Sequence, residues 1–257
     1  MSTVVQAGRE GREYEKFCKL MTKEVNAAIG GAFEAGATEV LVSDSHGDGQ
    51  NIDVELLDPR ARLVRAWPRP LGMTQGIDST FDALVFIGFH SAEGAATAIM
   101  SHTMWGREIY EIKLNGRAVP EAGIAAAIAG EFGVPVVFLS GDQTVCQDAK
   151  NMFGPIETAA VKVAEGFFSA TMIHPDDAQR LIRNGVKRGV ARRGELSPFK
   201  IAPPVKMGIT FKRVVNAELA SYLPGTERPS GNTIIFTGRD MVEASKFLTA
   251  ITHINTF

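Results

Sequence analysis

His46 and His90 each close a short apolar run that ends in a small-residue turn, EVLVSDSH and ALVFIGFH. With His102 in MSHTM they make up three of only five histidines in 257 residues, and an isolated carboxylate, Glu121, follows in VPEAG. Neutral imidazole together with carboxylate is a donor set suited to zinc, and a metal so held polarises carbonyls and acidifies water. Groups distant in sequence converge when they stand at the carboxyl ends of neighbouring strands, where open α/β sheets bind ligands. His46, His90 and Asp142 occupy such ends, and Asp44 is placed to orient the His46 ring as an outer acceptor. His102 differs in lying in an Ala/Met/Ser loop without an adjacent carboxylate, which leaves it in the range for proton exchange. Each residue taken singly also has a plain reading, a hydrogen-bonding loop histidine or a helix-start carboxylate favoured by the dipole. Spacing alone leaves both readings open.

Periodicity predicts the elements that must position these side chains. Tyr14, Phe17, Cys18, Met21, Val25, Ala28, Ile29, Ala32 and Phe33 step by three and four, which makes one amphipathic helix over about 10–35. Gly36 is its left-handed stop. Buried strands are predicted at 38–43, 62–66, 83–87 and 134–140. A hairpin over 109–119 turns on Asn115-Gly116 in type I′ geometry. Pro120 suits the first position of a helix reaching Phe132, and 143–152 is helical. This alternation predicts an α/β fold with a mainly parallel sheet flanked by helices. After Gly154 the pattern loosens into strands at 159–163, 206–211 and 233–237 and helices at 175–188, 218–222 and 240–253. The expected division is therefore residues 1–154, carrying the candidate metal residues, and 155–257 as a smaller C-terminal α+β lobe.

Composition excludes several classes. A net charge of −2 leaves no electrostatic footprint for nucleic acid or an anionic membrane. No apolar run approaches the ~18 residues of a membrane span, and MSTVVQAGRE lacks the apolar core of a signal peptide. Cys18 and Cys146 form neither a disulfide framework nor CxxC, and Cys18 reads as core packing. A reduced, cytoplasmic globular protein is expected. The SHGDGQN loop has neither Walker spacing nor GxGxxG, which argues against phosphate binding. Lys187, Arg188, Arg192 and Arg193 read as a solvated helix end.

Seven motifs in chain order carry a family likeness: KLMTKEVNAAIGGAFEAGATE, VLVSDSHGD, FIGFHS, MSHTM, LNGRAVPEAGIAAAIAG, ETAAVKV and SYLPGTE. Together they resemble the bacterial zinc D-aminopeptidases encoded with dipeptide permeases, from about Gly11 to the end of the chain. The resemblance implies a ring-like homo-oligomeric metallopeptidase that removes N-terminal D-residues from short peptides, with two zinc ions per site. By that likeness His46 matches the ligand of one zinc, and His90 and Glu121 match ligands of the other. His102 matches a nucleophile or proton shuttle.

One part departs from the family pattern. Its members begin with a strand bearing Asp-x-Glu-Gly, whose aspartate bridges the zincs and whose glutamate completes the first site. No such motif occurs here, although Val4 and Val5 resemble the tail of that strand. Two divalent ions ~3.5 Å apart repel by roughly 19 kcal/mol at an effective dielectric of about 20. One zinc on His90 and Glu121 is what the remaining countercharge supports, and Asp44, Asp48 or Asp142 are the acidic residues that could substitute, with no positional argument from sequence. The expectation is a zinc-dependent aminopeptidase for short peptides whose recorded N-terminus is incomplete. The alternative is a non-catalytic oligomeric scaffold or small-peptide binder that has lost the two-zinc site.

Overall fold

A helix made almost wholly of alanine, glycine and isoleucine sets the architecture. The computed structural model describes residue 6 and residues 8–254, so Val4 and Val5 lie outside it. The elements run α1 (Tyr14–Glu34), β1 (Val40–Ser43), β2 (Ala61–Val64), β3 (Leu84–Phe86), β4 (Ile109–Leu114), β5 (Arg117–Ala118), α2 (Glu121–Glu131), β6 (Val136–Asp142) and α3 (Gln143–Phe153). They continue with β7 (Glu157–Gly166), β8 (Ser169–Met172), α4 (Pro175–Ala191), β9 (Val205–Phe211), α5 (Val214–Ala220), β10 (Thr226–Ser230), β11 (Thr233–Gly238) and α6 (Met241–His253).

The fold is mixed α/β. β3, β6 and β7 pair in parallel, and β8 adds an antiparallel edge. Every residue of β6 is buried, as a strand covered on both faces requires. β1 and β2 form a separate parallel pair, and a five-stranded antiparallel sheet runs β10-β11-β9-β4-β5. α2 lies between the larger sheets. Ala122, Ala125 and Ala126 join the apolar cluster around β6, while Ile124, Ala127 and Ile128 join the one around β4, β9 and α6. A helix that is apolar all round is a buried helix.

The strands do not follow the expected division at 154. β6 and β7 pair across it (Phe138↔Glu157, Ser140↔Ala159), and β4 pairs with β9 (Ile112↔Ile209). A burial pattern records which faces of a strand are covered and carries no information on which strand covers its edge. β8 and β10 were not predicted, because both are largely exposed and lack an apolar signature. β7 extends past 159–163, and the short helix is Val214–Ala220 rather than 218–222.

Local signals held elsewhere. Asn115 and Gly116 have φ of 48° and 83°, the positive pair a type I′ turn needs. α1 presses against α4 at Gly31, where a Cβ would lie 2.3 Å from the Arg183 carbonyl oxygen. The basic end of α4 is engaged with carboxylates: Lys187 pairs with Glu34, and Arg188 and Arg192 with Glu157. Among the described residues no helix is long and apolar enough to cross a membrane.

β1 and β3 belong to different sheets and face a common cavity of about 1980 Å3. Its described walls include both strands, parts of α1 and α4, and His46, His90, His102 and Glu121.

Candidate active site

The end of β6 seats the His90 turn. Gly88 N donates to Ser140 Oγ (3.0 Å) and Phe89 N to Ser140 O (2.9 Å). Gly141 permits this approach, since a Cβ there would stand 2.4 Å from the Phe89 carbonyl oxygen. The Ser91 carbonyl then accepts from His90 Nδ1 (3.0 Å) and from His102 N (3.3 Å), and the Met100 carbonyl accepts from His102 Nδ1 (2.8 Å). The two imidazoles stack with centroids 3.9 Å apart and planes 20° from parallel.

Glu121 opens α2 directly beneath them. Its Oε2 is 3.5 Å from His90 Nε2 and its Oε1 is 3.6 Å from His102 Nε2, while Oε1 also accepts from Met104 N at 2.6 Å. The Glu121 side chain is only 7% exposed. His102 therefore has a carboxylate beside it in space, contrary to what its own loop suggested. The structure brings together His90, His102 and Glu121, whose ligand atoms all lie within 4.8 Å of one another. His46 stands on the wall of the same cavity, outside that group.

The donor set fits a cation. Carbonyl oxygens accept only from N–H, so each Nδ1 carries a proton and each neutral ring turns an Nε2 lone pair toward a carboxylate oxygen. Acceptors facing acceptors in a buried place need a proton or a metal between them. Tetrahedral ligands on zinc with bonds near ~2.0–2.1 Å are separated by roughly 3.3–3.5 Å, close to the spacing between Glu121 and the rings.

Without a metal, a proton between His90 and Glu121 satisfies the pair. Burial disfavours the His90 imidazolium, yet the neighbouring Glu121 carries it above the ordinary imidazole range. Burial also favours a neutral Glu121, but His90 and then His102 hold the carboxyl below its usual value. Burial and the charge of His90 push His102 down despite Glu121, with His46 adding to the effect. Burial raises the Cys146 thiol to about 11, which removes it as a thiolate nucleophile.

The other carboxylates are committed elsewhere. Asp44 does not orient the His46 ring as an outer acceptor. Its Oδ2 accepts from Asn51 N (2.5 Å) and Ile52 N (2.7 Å), and its Oδ1 from Asn51 Nδ2 (2.9 Å). Asn51 Nδ2 also donates to the His46 carbonyl (2.5 Å), and buried Arg69 donates to the Asp44 carbonyl (2.6 Å) and to Ser43 Oγ (2.9 Å). Asp44 thus clamps the loop that presents His46. Asp48 pairs with Arg9 and accepts from Gln50 N, and Asp142 accepts three backbone N–H groups. Asp44→Ala leaves two backbone donors and the Asn51 amide without their acceptor, so a loss of about 2–4 kcal/mol is expected in urea unfolding.

Sequence reading missed Asn51, Arg69, Ser91 and Met104. Asn51 had a visible signal, a polar amide closing the DSHGDGQN loop. Arg69 had none, because a buried guanidinium in WPRPLG reads as a solvated one.

Three comparisons bear on this geometry. The model of peptidase family M55, described as D-aminopeptidase, matches residues 1–250. A D-aminopeptidase of Bacillus subtilis (strain 168) is 35% identical over 257 residues, covering 98% of this chain and 91% of the relative. A solved structure described as the Zn-dependent D-aminopeptidase DppA from Bacillus subtilis, a self-compartmentalizing protease, superposes with a TM-score of 0.94 at 31% identity. It covers 98% of this chain and 92% of that one. Family match, overall identity and superposition agree: the chain belongs to the M55 D-aminopeptidase family of hydrolases.

Proposed function

We propose that the protein is a zinc-dependent aminopeptidase acting on short peptides with a D-residue at the amino end. In this reading His90 and Glu121 hold metal, His46 serves a second metal position on the wall of the same cavity, and His102 moves the proton. The observation that carries it is the convergence of two imidazole Nε2 atoms on one buried carboxylate. The zinc dependence and D-specificity described for the superposed relative support the assignment.

Zinc bound there would supply Lewis acidity toward the scissile carbonyl and acidify water. Glu121 contributes the only formal negative charge in the three-residue group, and its bond from Met104 N fixes the carboxylate plane. His102 is the most open of the three, with its side chain 35% exposed toward the cavity. Because its neutral form is favoured, it can accept a proton from attacking water at Nε2 and return it to the leaving amine. Self-association belongs to the same proposal, supported by the self-compartmentalizing relative, and light scattering of the purified protein measures it.

The test combines metal analysis with paired D- and L-alanyl substrates. Zinc-loaded protein is expected to hydrolyse the D-substrate, to lose that activity with a chelator and to regain it on zinc addition. Acidification below the imidazole range should release metal and activity together, because the ligands protonate. No bound zinc and no turnover after zinc addition would leave only a scaffold or peptide binder.

A further inference from the structure

We infer that Asp142 is a positioning residue for His102, an inference that rests on the proton-transfer role proposed above. The first two turns of α3 hold the 91–102 loop through side chains. Thr144 Oγ1 and Gln143 Nε2 donate to the Thr97 carbonyl (2.6 and 2.9 Å), and Ser91 Oγ donates to Asp148 Oδ2 (2.9 Å). Among these anchors the Asp142 contact lies next to the histidine: Ile99 N donates to Asp142 Oδ2 at 2.8 Å.

Ile99 precedes Met100, which sits at φ 47°, a left-handed conformation unfavourable for an L-residue with a Cβ by about 1 kcal/mol or more. The Met100 carbonyl accepts the His102 Nδ1 proton, so the orientation of that peptide sets the tautomer and direction of the ring. Two contacts hold this stretch in place. Asp142 accepts from the N–H of Ile99, the residue before Met100, and Met100 N itself donates to the Phe167 carbonyl at the tip of the β7–β8 hairpin (2.9 Å).

Asp142 is wholly buried, and its other oxygen caps α3 by accepting from Thr144 N and Val145 N (both 2.9 Å). Buried Lys162 on β7 also interacts with its charge. One carboxylate therefore ties the end of β6, the start of α3 and the loop carrying His102. Both oxygens are needed for this, since one is occupied by the cap.

Asp142→Asn separates the two duties. Asparagine caps helices about as well as aspartate, so α3 stays capped through Oδ1. Its NH2 cannot accept from Ile99 N, and the loop anchor is lost. In the zinc-loaded enzyme kcat is expected to fall about 30-fold, with KM changed less than about threefold and bound zinc unchanged. Nitrogen-15 NMR of the His102 ring is expected to show loss of the Nδ1–H tautomer. Thr144→Val, which removes only a Thr97 anchor, should change kcat by less than about threefold.

Wild-type kcat together with an unchanged His102 tautomer in Asp142→Asn would overturn the inference. So would a loss of rate that merely tracks the unfolded fraction seen by circular dichroism. Should Asp142→Asn fail to fold, Asp142→Ser keeps a single capping oxygen and carries the same expectation. If wild-type protein shows no turnover at all, the aminopeptidase reading fails, while the ring tautomer still decides whether Asp142 orients His102.

Discussion

Glu121→Gln is expected to abolish zinc binding and lower turnover by about three orders of magnitude, while leaving the metal-free protein at least as stable as wild type at alkaline pH. The signs differ because glutamine is isosteric but neutral. Its carbonyl can keep the bond from Met104 N, and its NH2 can donate to the His90 Nε2 lone pair that faces Oε2. The His90 side is then satisfied without a cation, and the more open His102 ring is left to the cavity. Only the countercharge for a metal is gone.

Metal-free wild type and the variant should also differ in pH dependence. Glu121 is held below its ordinary value of 4.5, so its contribution is present above that value and is lost as pH falls through the lowered one. His90 is held above its ordinary 6.5, so its contribution is complete below that value and is lost as pH rises through the raised one. Wild-type stability from this pair is therefore greatest between the two ordinary values, and Glu121→Gln should flatten the profile. Urea unfolding with chelator present, across mildly acidic to alkaline pH, measures it. A variant that still binds zinc tightly would remove Glu121 from the ligand set.

His102→Ala is expected to cost about 10²–10⁴-fold in kcat with zinc retained, the range for losing a positioned acid–base group. His90 and Glu121 remain, and the Met104 N bond to Glu121 does not involve the ring. Because the His102 side chain is 35% exposed, the vacated space can admit imidazole, and partial rescue by added imidazole is expected. Zinc lost together with turnover would instead make His102 a ligand, which its 3.6 Å separation from Glu121 permits.

Much of this site was legible because its residues sit at boundaries that leave local marks. His90 follows a strand and a glycine turn, and Glu121 follows a helix-starting proline. The sharing of Glu121 by two imidazoles was not legible, since it depends on how α2 docks under two separate loops. Asp44 was misread for a related reason. A carboxylate two residues from a histidine has many possible acceptor duties, and Asn51 and Ile52 capture it only after the loop closes. The exposed edges β8 and β10 escaped because backbone pairing alone places them. The pairing of strands across 154 was not legible either, because a burial pattern does not name the strand at an edge.

α2 carries one further consequence. Its alternate residues serve two apolar clusters, so neither large sheet can melt without stripping the cover from the other. Amide protons along that helix should exchange only through opening of the whole molecule. The acidic group at its first turn is thereby mounted on the part of the chain that is last to lose its shape.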